Sequence, residues 1–86
     1  MSILKVSIRQ IKAARALLGW SQSDLAAASS ISEPTVKRLE AQDGDLGGRA
    51  GTAEAITTAL EAAGVAFLSP EDGGGPGVRL RCVVAE

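Results

Sequence analysis

The sequence predicts a mainly α-helical fold, four to five short helices closed by a C-terminal β-hairpin, and three observations predict it. Apolar residues recur at helical spacing from Ile8 to Ala63. Ser7, Ser21 and Ser32 each stand where a serine hydroxyl caps a helix start. After Gly64 the apolar period drops from 3.6 to 2, the change from helix to strand.

The first helix runs over about 7–18. Ser7 and Gln10 form a capping box, Ile8, Ile11, Ala14 and Leu18 make one apolar face, and Gly19 ends the helix in the left-handed conformation. Trp20 is placed to pack back over that turn, while residues 1–6 read as a lead-in with no evident partner. The run 21–40, SQSDLAAASSISEPTVKRLE, is the most informative stretch of the chain. Its apolar positions, Leu25, Ala26, Ile31, Val36 and Leu39, cannot share one face of one helix, so the run must bend. Ser21 with Asp24 starts a second helix over about 22–28. Ser32, with Glu33 and Pro34 behind it, starts a third that reaches about Ala41. Between them Ser30 stands where a tight turn asks for positive φ, so a strained or reshaped turn is expected, with Ile31 plugging the space between the helices.

Residues 42–51 read as a loop. Thr52 opens a fourth helix with Ala55, Ile56, Ala59, Leu60 and Ala63 on one face, and Gly64 closes it. Val65, Ala66, Phe67 and Leu68 read as a strand, and 78–84 as a second in which Val78, Leu80, Cys82 and Val84 alternate with Arg79, Arg81 and Val83. The glycine-rich segment 73–77 lacks the Lys-Ser/Thr ending and following helix of a phosphate cradle, so it is a hairpin turn. The chain thus divides into residues 1–64, carrying the bent helical unit at 21–41, and a hairpin over 65–86.

Eighty-six residues suit one domain with a modest core, which dimerisation would supplement. The chain has no His and a single Cys, so an internal disulfide, zinc chemistry and thiol-histidine catalysis are excluded, and no metal, cofactor or enzymatic role is expected. No apolar run approaches a membrane span and no signal-peptide pattern precedes the first helix, which points to the cytoplasm. The net charge of −1 argues by itself against a nucleic-acid partner, but its distribution reverses that. Residues 1–42 carry six cations against three acids, for +3, and the remainder three Arg against seven acids, for −4. A basic first half fits a face turned to phosphate; an ordinary solvated surface is the bland alternative.

The string LLGWSQSDLAAASSISEPTVKRLE resembles the Cro and phage-repressor type of helix-turn-helix regulator, the Xre family, over roughly residues 8–64. Ala26, Ile31, Ser32 and the Val36, Leu39, Glu40 ending carry the likeness; Ser30 in place of a turn Gly, and Asp43 and Asp45 in the following loop, depart from it. The resemblance implies a lambda-repressor-like fold and a transcriptional regulator, a homodimeric repressor of its own or neighbouring promoters bound to a palindromic double-stranded operator. It implies that the Gln22 side chain reaches a DNA phosphate, with first-turn capping as its alternative, and that Arg15 and Glu40 form a fold-holding salt bridge between the first and third helices.

The third helix is then the reader of bases. With Val36 and Leu39 inward, Pro34, Lys37, Arg38 and Ala41 point outward, flanked by Glu33 and Thr35. Arg38 suits guanine, Thr35 a thymine methyl or a phosphate, and Lys37 a base or the backbone; Glu33 is open between cytosine N4 and support of the helix dipole. Ser21, Ser32 and Arg49 join Gln22 as candidate backbone contacts, with plain solvation the alternative for Arg49. The hairpin needs its edge covered, by a second copy through Val78, Leu80 and Cys82 or by packing Val78 and Leu80 on the fourth helix. A second function class is a protein-binding module, an antiactivator or antitoxin-like partner, that keeps the fold without specific DNA binding.

Overall fold

The computed structural model describes residues 6–42, 44, 50–70 and 74–81. Along them run α1 (Ile8–Leu18), α2 (Gln22–Ser29), α3 (Glu33–Glu40), α4 (Ala50–Ala62), β1 (Val65–Leu68) and β2 (Gly77–Leu80), four helices followed by an antiparallel hairpin. No helix among the described residues is long and apolar enough to cross a membrane.

The serine caps set the helix starts. Ser7 and Gln10 close a reciprocal capping box, as do Ser21 and Asp24, so the first free N–H groups of α1 and α2 find partners within the chain. Gly19 ends α1 at φ 70°, and the next residue, Trp20, packs against the core as its place over the turn implies. The turn between α2 and α3 is left-handed at Ser30, φ 61°, a conformation disfavoured by any Cβ; Ser30 is the one non-glycine residue with positive φ among those described. Ile31 follows it, half-buried against the core.

Val6, Ile11, Ala14, Leu25, Ala26, Val36, Leu39, Ile56, Leu60 and Val65 form one core, with Leu18, Trp20, Ile31, Phe67 and Val78 packed against it. Ala14 and Ala26, with no bulk beyond Cβ, let the helices approach closely at that centre.

Several boundaries differ from the sequence reading. Val6, read as lead-in, is buried at 4% exposure in the core, and the Ile8 N–H just after it donates to the Gly44 carbonyl at 2.9 Å. The fourth helix begins at Ala50 rather than Thr52, so Thr52 lies within its first turn instead of capping it; a hydroxyl so near the start looks in sequence like a cap. Ala63, assigned to the apolar face of α4, is exposed because the helix ends one residue before it. The hairpin register pairs Val65 with Leu80, Ala66 with Arg79, Phe67 with Val78 and Leu68 with Gly77. Its β2 strand lies against α1, and β1 against α4, while Val78 packs against the shared core to which α4 contributes Ile56 and Leu60. Both ends of the hairpin are fastened by side chains. Gln10 Nε2 donates to the Leu68 and Gly77 carbonyls at 3.1 and 2.9 Å, and Arg81 Nη2 donates to the Glu61 carbonyl at 2.7 Å, at the C-terminal end of α4. The expected strand positions Cys82, Val83 and Val84, and the loop residues Asp43, Asp45 and Arg49, lie outside the described residues.

Candidate nucleic-acid interface

The outer face of α3 is set by what its inner face buries. Val36, Leu39 and Glu40 are buried, and at 100° per residue this leaves Pro34, Lys37 and Arg38 exposed, with Glu33 and Thr35 half-buried beside them. The five residues expected to meet bases therefore line the outward side of one short helix. Pro34 sits where the helix needs no N–H partner. The Ser32 hydroxyl accepts from the Thr35 N–H at 3.4 Å and donates to Thr35 Oγ1 at 2.8 Å. Ser32 thus spends its hydroxyl on the cap, whereas Thr35 keeps its own proton for an outside acceptor.

Glu33, ambiguous in sequence, has a partner on its own helix: its carboxylate lies 3.6 Å from Lys37 Nζ one turn on, with the Glu33 side chain 43% and the Lys37 side chain 61% exposed. With Glu N-terminal to Lys at i,i+4 the pair suits the helix dipole, and its energy at such a surface is only a few tenths of a kcal/mol, roughly 0.3–0.5. An incoming base or phosphate can therefore separate the two at small cost. Arg38 is exposed on the outward side of the same helix.

Behind this face Arg15 and Glu40 form the expected salt bridge. Arg15 Nε and Nη2 donate to the two Glu40 carboxylate oxygens, each at 2.7 Å, and Nη1 donates to the Trp20 carbonyl at 2.9 Å. Glu40 is 5% exposed and the Arg15 side chain 19%. Burial opposes ionisation of Glu40, but hydrogen bonds from Arg15 and Gln22 and the positive charges of Arg15 and Lys12 outweigh it, holding the carboxyl below its ordinary range. The same hydrogen bond raises the Arg15 guanidinium, against its own partial burial. Gln22, half-buried at the first position of α2, donates from Nε2 to Glu40 Oε1 at 3.0 Å. The Arg15 and Glu40 pair thereby joins α1, the turn after it, the start of α2 and the end of α3.

The remaining site residues are spread apart. Ser21 is exposed as the cap of α2. Of the three residues assigned to a subunit interface, Val78 is half-buried against its own core, Leu80 is 38% exposed, and Cys82 lies outside the described residues, as does Arg49. Leu17 and Leu68 are further exposed apolar side chains, at 46% and 40%. Two anchoring residues escape sequence reasoning. Gln10 carries the signature of a cap partner and nothing that marks its second task at the hairpin, and Arg81 alternates like any solvated strand residue.

Residues 11–47 match the model of a family described as helix-turn-helix, a span that takes in most of α1, all of α2 and α3, and the segment beyond. No curated protein matches the chain.

Proposed function

We propose that the chain, whose residues 11–47 match the helix-turn-helix family model, is a sequence-specific, homodimeric repressor of the Xre and lambda-repressor-like kind, reading the major groove with the helix at 32–41. Residues 1–64 serve as the DNA-binding unit, residues 65–86 as the dimerisation element, and the protein acts in the cytoplasm. The observation that carries the reading is the outward face of α3. Pro34, Thr35, Lys37 and Arg38, with Glu33 beside them, stand opposite a buried Val36 and Leu39, on a half-chain of net positive charge.

In this reading Arg38 and Thr35 meet base edges, Lys37 leaves Glu33 for a base or a phosphate, and Glu33 accepts from a cytosine amine or returns to the helix dipole. Gln22, Ser21 and Arg49 meet the backbone, together with the start of α3 at Ser32. Two copies place two such helices about one helical turn of DNA apart, about 34 Å, on a palindromic operator. The exposed Leu80, with Cys82 beyond it, supports a C-terminal contact between copies.

Gel shift of the purified chain on the DNA upstream of its own reading frame tests the assignment. Binding is expected, with an affinity that falls steeply and linearly in log salt. A folded chain that retains no duplex at low salt would be a protein-binding module instead. Sedimentation tests the pairing: a monomer at micromolar concentration, unchanged by deletion of residues 78–86, overturns the dimer.

A further inference from the structure

The Gln22 amide has two ends of nearly equal size and opposite hydrogen-bonding character, and at an exposed helix start either could face outward. Beside Glu40 only one orientation is stable. The Gln22 Nε2 lies 3.0 Å from Glu40 Oε1 as a donor, and the opposite rotamer would set carbonyl oxygen against carboxylate oxygen. Nε2 carries two hydrogens, one directed to Glu40 and the other with no partner among the described residues.

We infer that Glu40 is a positioning residue for backbone recognition: by holding one N–H of the Gln22 amide it fixes the side chain so that the second N–H is presented to a DNA phosphate oxygen. The inference rests on the DNA-binding reading above. A carboxylate so near a phosphate would normally repel it, but both Glu40 oxygens accept from Arg15 at 2.7 Å, so the acid is matched by a cation in the same plane. Lys12, exposed on α1, adds positive charge to the same neighbourhood. The acid itself is buried and out of a phosphate's reach, and only the half-buried amide remains at the surface. The rotamer freedom of Gln22 is therefore lost on folding rather than on binding, which is how a single neutral hydrogen bond can matter for affinity.

The test is a double-mutant cycle on a duplex that the wild-type chain selects from a random library, with affinities from fluorescence anisotropy corrected for the folded fraction. Gln22→Ala and Glu40→Gln should each weaken binding by roughly tenfold, the equivalent of one hydrogen bond, with base preference unchanged. The double variant should bind no more than about twofold worse than the weaker single variant, because Glu40 acts through an amide that is no longer there. Effects that multiply would show that Glu40 only holds the fold and overturn the inference, as would a Gln22→Ala variant of wild-type affinity. If Glu40→Gln does not fold, 15N relaxation of the side-chain amides in the free wild-type chain decides. A Gln22 amide much more rigid than that of the exposed Gln42 supports the inference, and one equally mobile overturns it. Failure of the wild-type chain to select any duplex is a separate outcome that overturns the DNA-binding reading itself.

Discussion

Arg15 and Glu40 meet through two parallel 2.7 Å hydrogen bonds across 25 positions of sequence, one partner on the first helix and the other at the last residue of the third. Removing the cation leaves a buried acid without its counter-charge. Arg15→Ala should therefore cost about 3 kcal/mol of stability in urea unfolding at pH 7, more than loss of an exposed ion pair would explain. A loss below about 1 kcal/mol would mean that the pair behaves as a surface one.

The same pair gives stability a pH dependence of defined sign. The Glu40 carboxyl titrates lower in the fold than in the open chain, so its contribution is complete above the unfolded value, about 4.3, and is lost as pH falls through the lower folded value. The raised Arg15 guanidinium contributes at every pH below the ordinary arginine range and so adds no acid-side dependence. The stability gap between wild type and Glu40→Gln should be constant from about pH 6 to 8 and narrow progressively below about pH 4.3. A gap that stays constant down to pH 3 would contradict the assignment.

Ser30 holds φ 61° without the freedom of glycine. Relief of left-handed strain favours Ser30→Gly by about 1–2 kcal/mol, and the greater entropy of an unfolded glycine returns about 0.5–1. The net expectation is a gain near 0.5 kcal/mol, a melting temperature higher by roughly 2–4 °C. Ser30→Val should lower it. A Ser30→Gly variant that melts below wild type would show that the hydroxyl has a role the turn geometry does not reveal.

Gln10 is buried, and its Nε2 satisfies two carbonyls of the hairpin while its Oε1 accepts from the Ser7 N–H. Gln10→Ala strands all three backbone groups and should cost about 2–3 kcal/mol. Its particular signature is local: amide exchange of Ala66 to Leu68 should accelerate more than that of α2 and α3. Uniform acceleration would mean that the hairpin opens only with the whole domain.

On the outer face of α3 the two cations should separate by kind of contact. Arg38→Ala should lose about 1–3 kcal/mol of discrimination at one base position, read by competition among duplexes. Lys37→Ala should weaken all sequences alike if it meets phosphate, and lower the salt slope by about one. Equal behaviour of the two variants would remove the distinction.

What the sequence reveals and what it hides divide along range of interaction. The starts of α1, α2 and α3 are legible because a cap is written within four residues, and the hairpin because a change of period is local. The outward strip of α3 follows from two buried positions, Val36 and Leu39. The Glu33 to Lys37 pair follows from i,i+4 spacing on α3, a local signal that competes in the sequence with the outward position of both residues. The second tasks of Gln10 and Arg81, and the burial of Val6, depend on which element comes to lie beside them, and no local pattern encodes that. Gln22 lies between: the family resemblance supplies its partner in DNA, and only the folded chain supplies its partner in Glu40.

The Gln10 clasp also bears on the order in which the chain assembles. Its two hairpin bonds span 58 and 67 positions, whereas the link from Gln22 to Glu40 spans 18. Short closures form before long ones reward their entropy cost, so α2, α3 and the helix before them should make up the nucleus and the hairpin should dock after the rate-limiting barrier. Gln10→Ala would then accelerate unfolding while leaving the refolding rate nearly as it was, and Leu25→Ala in the nucleus would slow refolding. A protein arranged in this way completes its first three helices early and adds its C-terminal strands last.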